Sequence, residues 1–216
     1  MILGIDTSAG TSVAVVEHDG VVLSQLDSPD PRGHAEVIGT LIERALAEAS
    51  VGSGDITHVA AGMGPGPFTG LRVGIAAARA FALGRGIPVV PVVSHDAVAL
   101  ERSLRAALLG DDEPAPFAVV TDARRREVAW TPYRGVDDDG LPVRSADPAL
   151  VPRDEADAAL AGVGVERADA DRVPAAMIAL AAARAVAAGR AIADDEALYL
   201  RPPDVTVSAG PKRVTS

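Results

Sequence analysis

The sequence predicts a mixed α/β protein in which strands are followed by helices twice along the chain. Three observations support this: short apolar runs open the chain, an amphipathic helix follows them, and strand patterns begin again after a Pro-rich acidic segment at 110–116. With 216 residues and 48% hydrophobic content, the chain can form one large domain or two lobes. We place the boundary after residue 109, so the first lobe covers 1–109 and the second 110–201.

The first lobe begins with a predicted antiparallel meander, in which Asp19-Gly20 is typical of a two-residue hairpin turn. Its three strands are expected over 1–7, 12–18 and 21–28. Apolar residues then recur at helical spacing from His34 to Ser50, opposite to charged residues, which predicts an amphipathic helix. The rest of the lobe is predicted to alternate strand and helix, over 57–63, 68–83, 88–93 and 94–109.

The second lobe is predicted to contain strands and then helices, over 117–122, 127–134, around Val143, 154–160 and 173–188. A charged turn of Arg124, Arg125 and Arg126 lies between its first two strands. This cluster fits either an anion or RNA contact or an ordinary solvated turn. The final residues, 202–216, are polar, contain Pro and Gly and lack periodicity, so we expect a flexible tail there.

Composition excludes several classes of function. The chain carries 20 basic and 30 acidic residues, a net charge of −10, which opposes unaided binding of RNA. It contains no cysteine, so disulfides, thiolate nucleophiles and cysteine-ligated zinc are excluded. The start MILGIDTSAG has no basic region and its apolar run ends at Asp6, which fits neither a signal peptide nor a membrane anchor. We therefore expect a cytoplasmic protein without a membrane partner.

A hydroxyl-rich turn follows the first predicted strand and contains Asp6, Thr7, Ser8 and Thr11. Such a turn can present backbone amides and hydroxyls to phosphates while a carboxylate orders a hydrated magnesium ion. The same residue types also build tight turns that bind nothing. The turn is therefore either a vestigial nucleotide site or a structural corner.

The loop at 64–70, GPGPFTG, leads directly into a predicted helix and is a second candidate for anion binding. It lacks the lysine of a Walker phosphate loop, and its two prolines remove amide donors. A rigid corner that sets the direction of the helix explains the loop equally well.

The helix after this loop carries a stripe of small residues at every fourth position, Gly70, Gly74, Ala78 and Ala82. A stripe of this kind allows another helix to approach closely. Glycine inside a helix costs about 1 kcal/mol relative to alanine, so two glycines on one face suggest a packing role. We predict that this face contacts a partner helix.

The four histidines, His18, His34, His58 and His95, do not suggest a metal site. None lies four residues from another, so the paired spacing of a metal-binding helix is missing. His34 begins the first predicted helix and fits either a site residue or a solvated helix start. We expect no metal ion and no catalytic residue in the chain by itself.

Several segments, in matching order, resemble the TsaB family and together cover nearly the whole chain apart from the tail. The most specific is GPGPFTGLRVG at 64–74. The others are ILGIDTS at 2–8, the His34-Ala35-Glu36 helix start, DARRREV at 122–128 and YLRP at 199–202. Pro67 stands where the family usually has serine, which removes one hydroxyl from the loop.

The resemblance implies an actin/hexokinase-like (ASKHA) α/β fold with two lobes, each a mixed β-sheet packed with helices. It implies a non-catalytic scaffold subunit that forms a heterodimer with TsaD and supports transfer of a threonylcarbamoyl group to the adenosine adjacent to the tRNA anticodon. In this family TsaE joins the complex as an ATPase, and tRNA is reached only through the complex. The resemblance leaves open ATP or ADP at the complex interface and a homodimer when TsaD is absent.

The family interface is similar to a bundle of the first two helices of each partner. In this sequence the corresponding partner-binding residues are His34, Val37, Ile38, Leu41, Gly70, Leu71, Gly74 and Ala78. The main alternative is a small kinase or ATPase of the same fold that would use Asp6 and the hydroxyl-rich turn.

Overall fold

The computed structural model describes residues 1–30, 33–110 and 115–201, which form two β-sheets with helices packed on them. The predicted tail over 202–216 lies outside the described residues, as do residues 111–114 of the predicted boundary segment. Within the described part of the chain, no helix combines the length and apolar character needed to span a bilayer.

The first sheet has five strands, and its order is β3-β2-β1-β4-β5. The elements up to residue 110 are β1 (Ile2–Asp6), β2 (Thr11–Val16), β3 (Val22–Ser28), α1 (His34–Glu48), β4 (His58–Gly62), α2 (Phe68–Arg85), β5 (Val89–Val92) and α3 (Ser94–Leu109). The first three strands form the predicted antiparallel meander, while β4 and β5 run parallel to β1. The predicted order of elements in this half is therefore confirmed.

The second sheet has the order β10-β6-β7-β8, with β9 pairing against β7. Its region contains β6 (Phe117–Asp122), β7 (Glu127–Val136), β8 (Pro142–Arg144), β9 (Ala149–Pro152), α4 (Ala156–Val163), β10 (Glu166–Asp169) and α5 (Ala175–Ala187). The sequence analysis missed β10 because its residues, Glu-Arg-Ala-Asp, lack an apolar pattern. It forms an edge strand parallel to β6 and is mostly exposed.

The first sheet is buried on both faces, which explains why β1 and β2 are buried along their whole length. One face packs against α1 and α2 through alternate residues such as Leu3 and Ile5. The opposite face packs against α5 through residues such as Ile2 and Ala14. The approach of α5 is very close, since a Cβ atom on Gly4 would lie 2.3 Å from the carbonyl oxygen of Ala175.

This position of α5 corrects the predicted lobe boundary. The second lobe was predicted to cover 110–201 without interruption, but α5 packs on the first sheet. In addition, the Leu198 amide donates to Met63 O at 2.7 Å. The first amide groups of α5 are satisfied from the first sheet by Ser12 Oγ at 2.9 Å and Gln25 Oε1 at 3.0 Å. The last part of the chain therefore returns to the first lobe.

Candidate functional site

A cleft of about 710 Å³ lies where the first lobe meets the second sheet. It is lined by His34, residues 65–70, residues 121–125, Ala129, Leu150 and residues 199–201. The GPGPFTG loop, the arginine turn and the YLR segment were three separate motifs in the sequence, and folding brings them to one cavity. The hydroxyl-rich turn lies directly behind the loop, because a Cβ atom on Gly66 would lie 2.8 Å from the Cα of Ser8.

Asp6 is buried and accepts hydrogen bonds from within the chain. Its Oδ1 accepts from Ser8 N at 2.8 Å and Ser8 Oγ at 2.5 Å, and its Oδ2 accepts from Ser94 Oγ at 2.5 Å. Burial raises the pKa of Asp6, while the hydrogen bonds from Ser8 and Ser94 act in the opposite direction. Gly62 leaves the space for this carboxyl group, since a Cβ there would lie 1.9 Å from Asp6 Oδ2. Asp6 thus ties β1 to the start of α3.

The other residues of the hydroxyl-rich turn are also directed inward. Thr7 Oγ1 donates to Gly70 O at 2.8 Å, and Thr11 Oγ1 lies 2.8 Å from His34 Nδ1. Both threonines are buried. The turn that was predicted as either a vestigial nucleotide site or a structural corner therefore joins β1 and β2 to α1 and α2.

The small-residue stripe of α2 packs inside the first lobe, which corrects the expectation that it faces a partner helix. A Cβ atom on Gly70 would lie 2.9 Å from both His34 Nε2 and Thr7 O, and one on Gly74 would lie 2.2 Å from Thr7 Oγ1. Ala78 is buried as well. Periodicity identified a closely packed face but could not indicate what packs on it.

The rest of the predicted partner-binding set is mostly buried too. Leu71, Ile38 and Leu41 belong to the core between the first sheet and its helices, and His34 is buried beside Thr11. Val37 is partly exposed. Burial within the chain leaves the opposite side of α1 and α2 as their accessible surface.

The outward side of these two helices exposes small residues, interspersed with charged ones such as Glu43 and Arg79. We define the outer α1–α2 face by its exposed residues Ala35, Gly39, Thr40, Thr69, Arg72, Ala76, Ala80 and Leu83. A Cβ atom on Gly39 would meet nothing within 4 Å, and Leu83 is 84% exposed. Small side chains and an exposed leucine are compatible with close approach of another helix.

An arginine that packs on Phe68 and bonds to Tyr199 connects this face to the cleft. The Arg72 guanidinium lies 3.8 Å from the centroid of Phe68, and its Nε donates to Tyr199 Oη at 3.1 Å. The Phe68 and Tyr199 rings, both of which line the cleft, have centroids 4.8 Å apart. Sequence analysis did not detect this cluster, since Tyr199 is 127 residues from Arg72.

The start of α3 forms a second buried polar cluster, against the second sheet. His95 Nδ1 lies 2.7 Å from Thr131 Oγ1 and its Nε2 lies 2.8 Å from Thr121 Oγ1. Burial lowers the pKa of His95 to about 3, so the ring is neutral near pH 7. These contacts give His95 a structural role between the lobes.

The neighbouring Asp96 is also buried, and burial raises its pKa to about 6. Tyr133 Oη donates to Asp96 Oδ1 at 2.8 Å, and Arg144 Nε lies 3.5 Å from the same oxygen. Arg144 counteracts the rise in pKa through its positive charge.

The arginine turn lies at the opposite wall of the cleft and has an unusual backbone. Arg124, Arg125 and Arg126 have φ values of 62°, 52° and 63°, in the left-handed region. Arg124 and Arg125 line the cleft. Across residues 1–30, 33–110 and 115–201, no three or more His, Asp or Glu side chains are grouped as a metal site would require.

Comparison with protein families and curated proteins places the chain among threonylcarbamoyltransferase relatives. Residues 28–142, more than half of the chain, match the family model described as TsaD, tRNA N6-adenosine threonylcarbamoyltransferase. An uncharacterised protein of Mycobacterium bovis is 44% identical over 134 residues, which cover 61% of this chain and 58% of that protein. A tRNA N6-adenosine threonylcarbamoyltransferase of Streptococcus pneumoniae is 44% identical over 107 residues, 42% of this chain and 32% of the enzyme. The chain thus matches less than two thirds of the length of these relatives.

Two solved structures from Pseudomonas aeruginosa share the fold along most of the chain. YeaZ has a TM-score of 0.71 and 26% identity, and the match covers 92% of this chain and 99% of YeaZ. A protein described as similar to peptidase YeaZ has a TM-score of 0.73 and 25% identity, with 93% and 99% coverage. The predicted actin/hexokinase-like α/β fold is confirmed. The chain therefore belongs to the TsaD family, and within it the chain is a TsaB-like (YeaZ-like) protein.

Proposed function

We propose that this protein is a non-catalytic subunit in the formation of threonylcarbamoyladenosine on tRNA, and that it acts by binding TsaD. The observation that carries the proposal is the outer α1–α2 face, which exposes several small residues and Leu83 on the two helices that the TsaB resemblance assigns to the heterodimer. In this proposal the inward residues, such as Gly74, shape the two helices, and outward residues such as Ala76 contact the partner.

The internal bonding of the hydroxyl-rich turn supports a role without chemistry. Asp6, the residue that a kinase or ATPase of this fold would use, is buried and accepts three hydrogen bonds from Ser8 and Ser94. A carboxylate in this environment is poorly placed to bind a hydrated magnesium ion. This argues against the kinase alternative and in favour of a partner that supplies the catalytic groups.

The charge of the chain supports contact with tRNA through the complex. A net charge of −10 opposes the release of counterions that drives binding to phosphates. In the proposed assembly TsaD holds the tRNA, TsaE joins as the ATPase, and any ATP or ADP is bound at the complex interface. We place this assembly in the cytoplasm.

The test is capture of purified TsaD by this chain and by two matched variants. Ala76→Arg places a long charged side chain on the outer α1–α2 face, while Ala158→Arg makes the same change at an exposed position of α4. Both variants should fold normally because both positions are exposed. We expect Ala76→Arg to weaken capture at least tenfold and Ala158→Arg to leave it unchanged.

Reconstitution provides the functional readout. TsaD, TsaE, threonylcarbamoyl-adenylate and tRNA should give modified tRNA only when this chain is added, and Ala76→Arg should reduce the yield in parallel with capture. Transfer by TsaD at full rate without this chain, or transfer by this chain without TsaD, would refute the proposal.

A further inference from the structure

Two histidines that are 40 residues apart in sequence lie together at the end of the first sheet opposite the cleft. Ile2 of β1 pairs with Val16 of β2 on one side and with His58 of β4 on the other. His18 lies two residues beyond Val16. The two side chains therefore flank the start of β1, whereas Asp6 at the other end of the strand lies behind the cleft loop.

The two imidazole rings are separated as two ligands of one metal ion would be. Their centroids are 5.6 Å apart and their planes are inclined by 84°. With metal–nitrogen distances of about 2.05 Å and a tetrahedral angle, two coordinated imidazoles have centroids about 5.2 Å apart. The observed separation differs from this value by a few tenths of an ångström.

One nitrogen of each ring is directed at the same point. Thr57 Oγ1 lies 2.8 Å from His18 Nε2 and 3.0 Å from His58 Nδ1. The Thr57 hydroxyl therefore occupies the point on which the two nitrogens converge, and an ion that binds both rings must displace it.

Both rings are available to a cation from solvent. His18 is exposed and His58 is partly exposed. The pKa of each histidine is lowered, first by burial and then by nearby positive charge, which for His58 includes His18 and for both includes the α-amino group of Met1. Neutral imidazole is the form that binds metals.

We propose that His18 and His58 form a bidentate site for a divalent transition-metal ion that prefers imidazole, such as Cu²⁺ or Zn²⁺, with water completing the coordination. This site is independent of the proposed function in tRNA modification. It also revises the expectation of no metal ion, which was drawn from helical spacing of histidines. That criterion cannot detect a pair brought together across three strands.

Apart from the α-amino group of Met1, which lies 3.5 Å from Thr57 Oγ1, the described residues offer few nitrogen or sulfur ligands that would compete with this pair. The chain contains no cysteine, and its other two histidines, His34 and His95, are buried and bonded to threonines. The probe is Cu²⁺, titrated into the purified protein in a buffer that does not coordinate metals. Calorimetry gives the stoichiometry and affinity, and electron paramagnetic resonance counts the nitrogen ligands.

We expect one equivalent of Cu²⁺ to bind tightly, with two nitrogen ligands, and excess Zn²⁺ to compete for it. His18→Asn and His58→Asn should each weaken binding at least tenfold, and the double variant should be little weaker than either one, because chelation requires both rings. Asp19→Asn, which changes a charge beside His18 and keeps both imidazoles, is the control and should change affinity less than twofold.

Two results would overturn the proposal. The first is two equivalent Cu²⁺ ions per chain, one for each ring. The second is a loss of less than threefold for each single variant, with additive losses in the double variant. Both would show that the two histidines bind separately.

Discussion

The two sides of α2 have similar small residues and opposite surroundings. On the inner side, Gly70 and Gly74 lie against Thr7 so closely that added Cβ atoms would lie 2.9 Å and 2.2 Å from its atoms. On the outer side, Ala76 and Ala80 are exposed. Small residues at helical spacing are closely packed on the inner face, whereas on the outer face they leave an open surface. Composition alone therefore cannot distinguish the buried face of α2 from the exposed one.

The largest expected effect is that of Gly74→Leu on the inner face. The leucine side chain would have to displace Thr7, which is buried in the hydroxyl-rich turn after β1 and donates a hydrogen bond to Gly70 of α2. We expect the free energy of unfolding to fall by about 3 kcal/mol or more, although leucine favours the helix. Urea denaturation measures the loss. A variant as stable as the natural chain would show that the inner face is not closely packed.

Thr7→Val tests the same contact with a smaller change. Valine keeps the shape of threonine and removes the hydroxyl that donates to Gly70 O at 2.8 Å. We expect a loss of roughly 1 to 2 kcal/mol, because a buried hydrogen bond is removed without a cavity being formed. Chemical denaturation of Thr7→Ser, which keeps the hydroxyl and removes a methyl group, separates the hydrogen bond from packing. Equal stability of Thr7→Val and the natural chain would contradict this role.

The smallest expected effect on stability is that of Ala80→Leu on the outer face. Ala80 is exposed, so the larger side chain has room and should change the free energy of unfolding by less than about 0.5 kcal/mol. The same leucine was placed at Gly74 above, which makes the two variants a matched pair. Should both variants be equally unstable, the distinction between the faces of α2 would be wrong.

The local sequence pattern was sufficient to predict elements whose formation depends on neighbouring residues. The meander of β1, β2 and β3 and the amphipathic helix α1 follow from alternating and helical periodicity and from the Asp19-Gly20 turn, and all are present. The edge strand β10 was missed because an exposed edge needs no apolar residues. The cost of glycine in a helix indicated that the stripe on α2 is closely packed, but the expected partner helix was wrong, since Thr7 and His34 of the same chain pack on it.

The composition of the candidate site, unlike these elements, could be seen only in the tertiary structure. The cleft joins residues 65–70, 121–125 and 199–201, and the contacts of Asp6 with Ser94 and of His95 with Thr131 connect positions far apart in the chain. Hydroxyl-rich turns that bind phosphate and turns that bond internally have the same composition. Only the position of the neighbouring helices determines the direction of these groups.

The sequence by itself determined the order of most strands and helices, the absence of cysteine chemistry and the resemblance to the TsaB family. The tertiary structure decided which face of α2 is buried, to which sheet α5 belongs, and that His18 and His58 meet. The physical reason is that sequence periodicity indicates which side chains of a helix or strand are buried, but not which segment packs on them. That choice depends on long-range packing, and different segments of this chain have similar hydrophobic patterns. An alanine-rich helix such as α5 can pack on either sheet, and the contacts with Ser12 and Gln25 specify the first one.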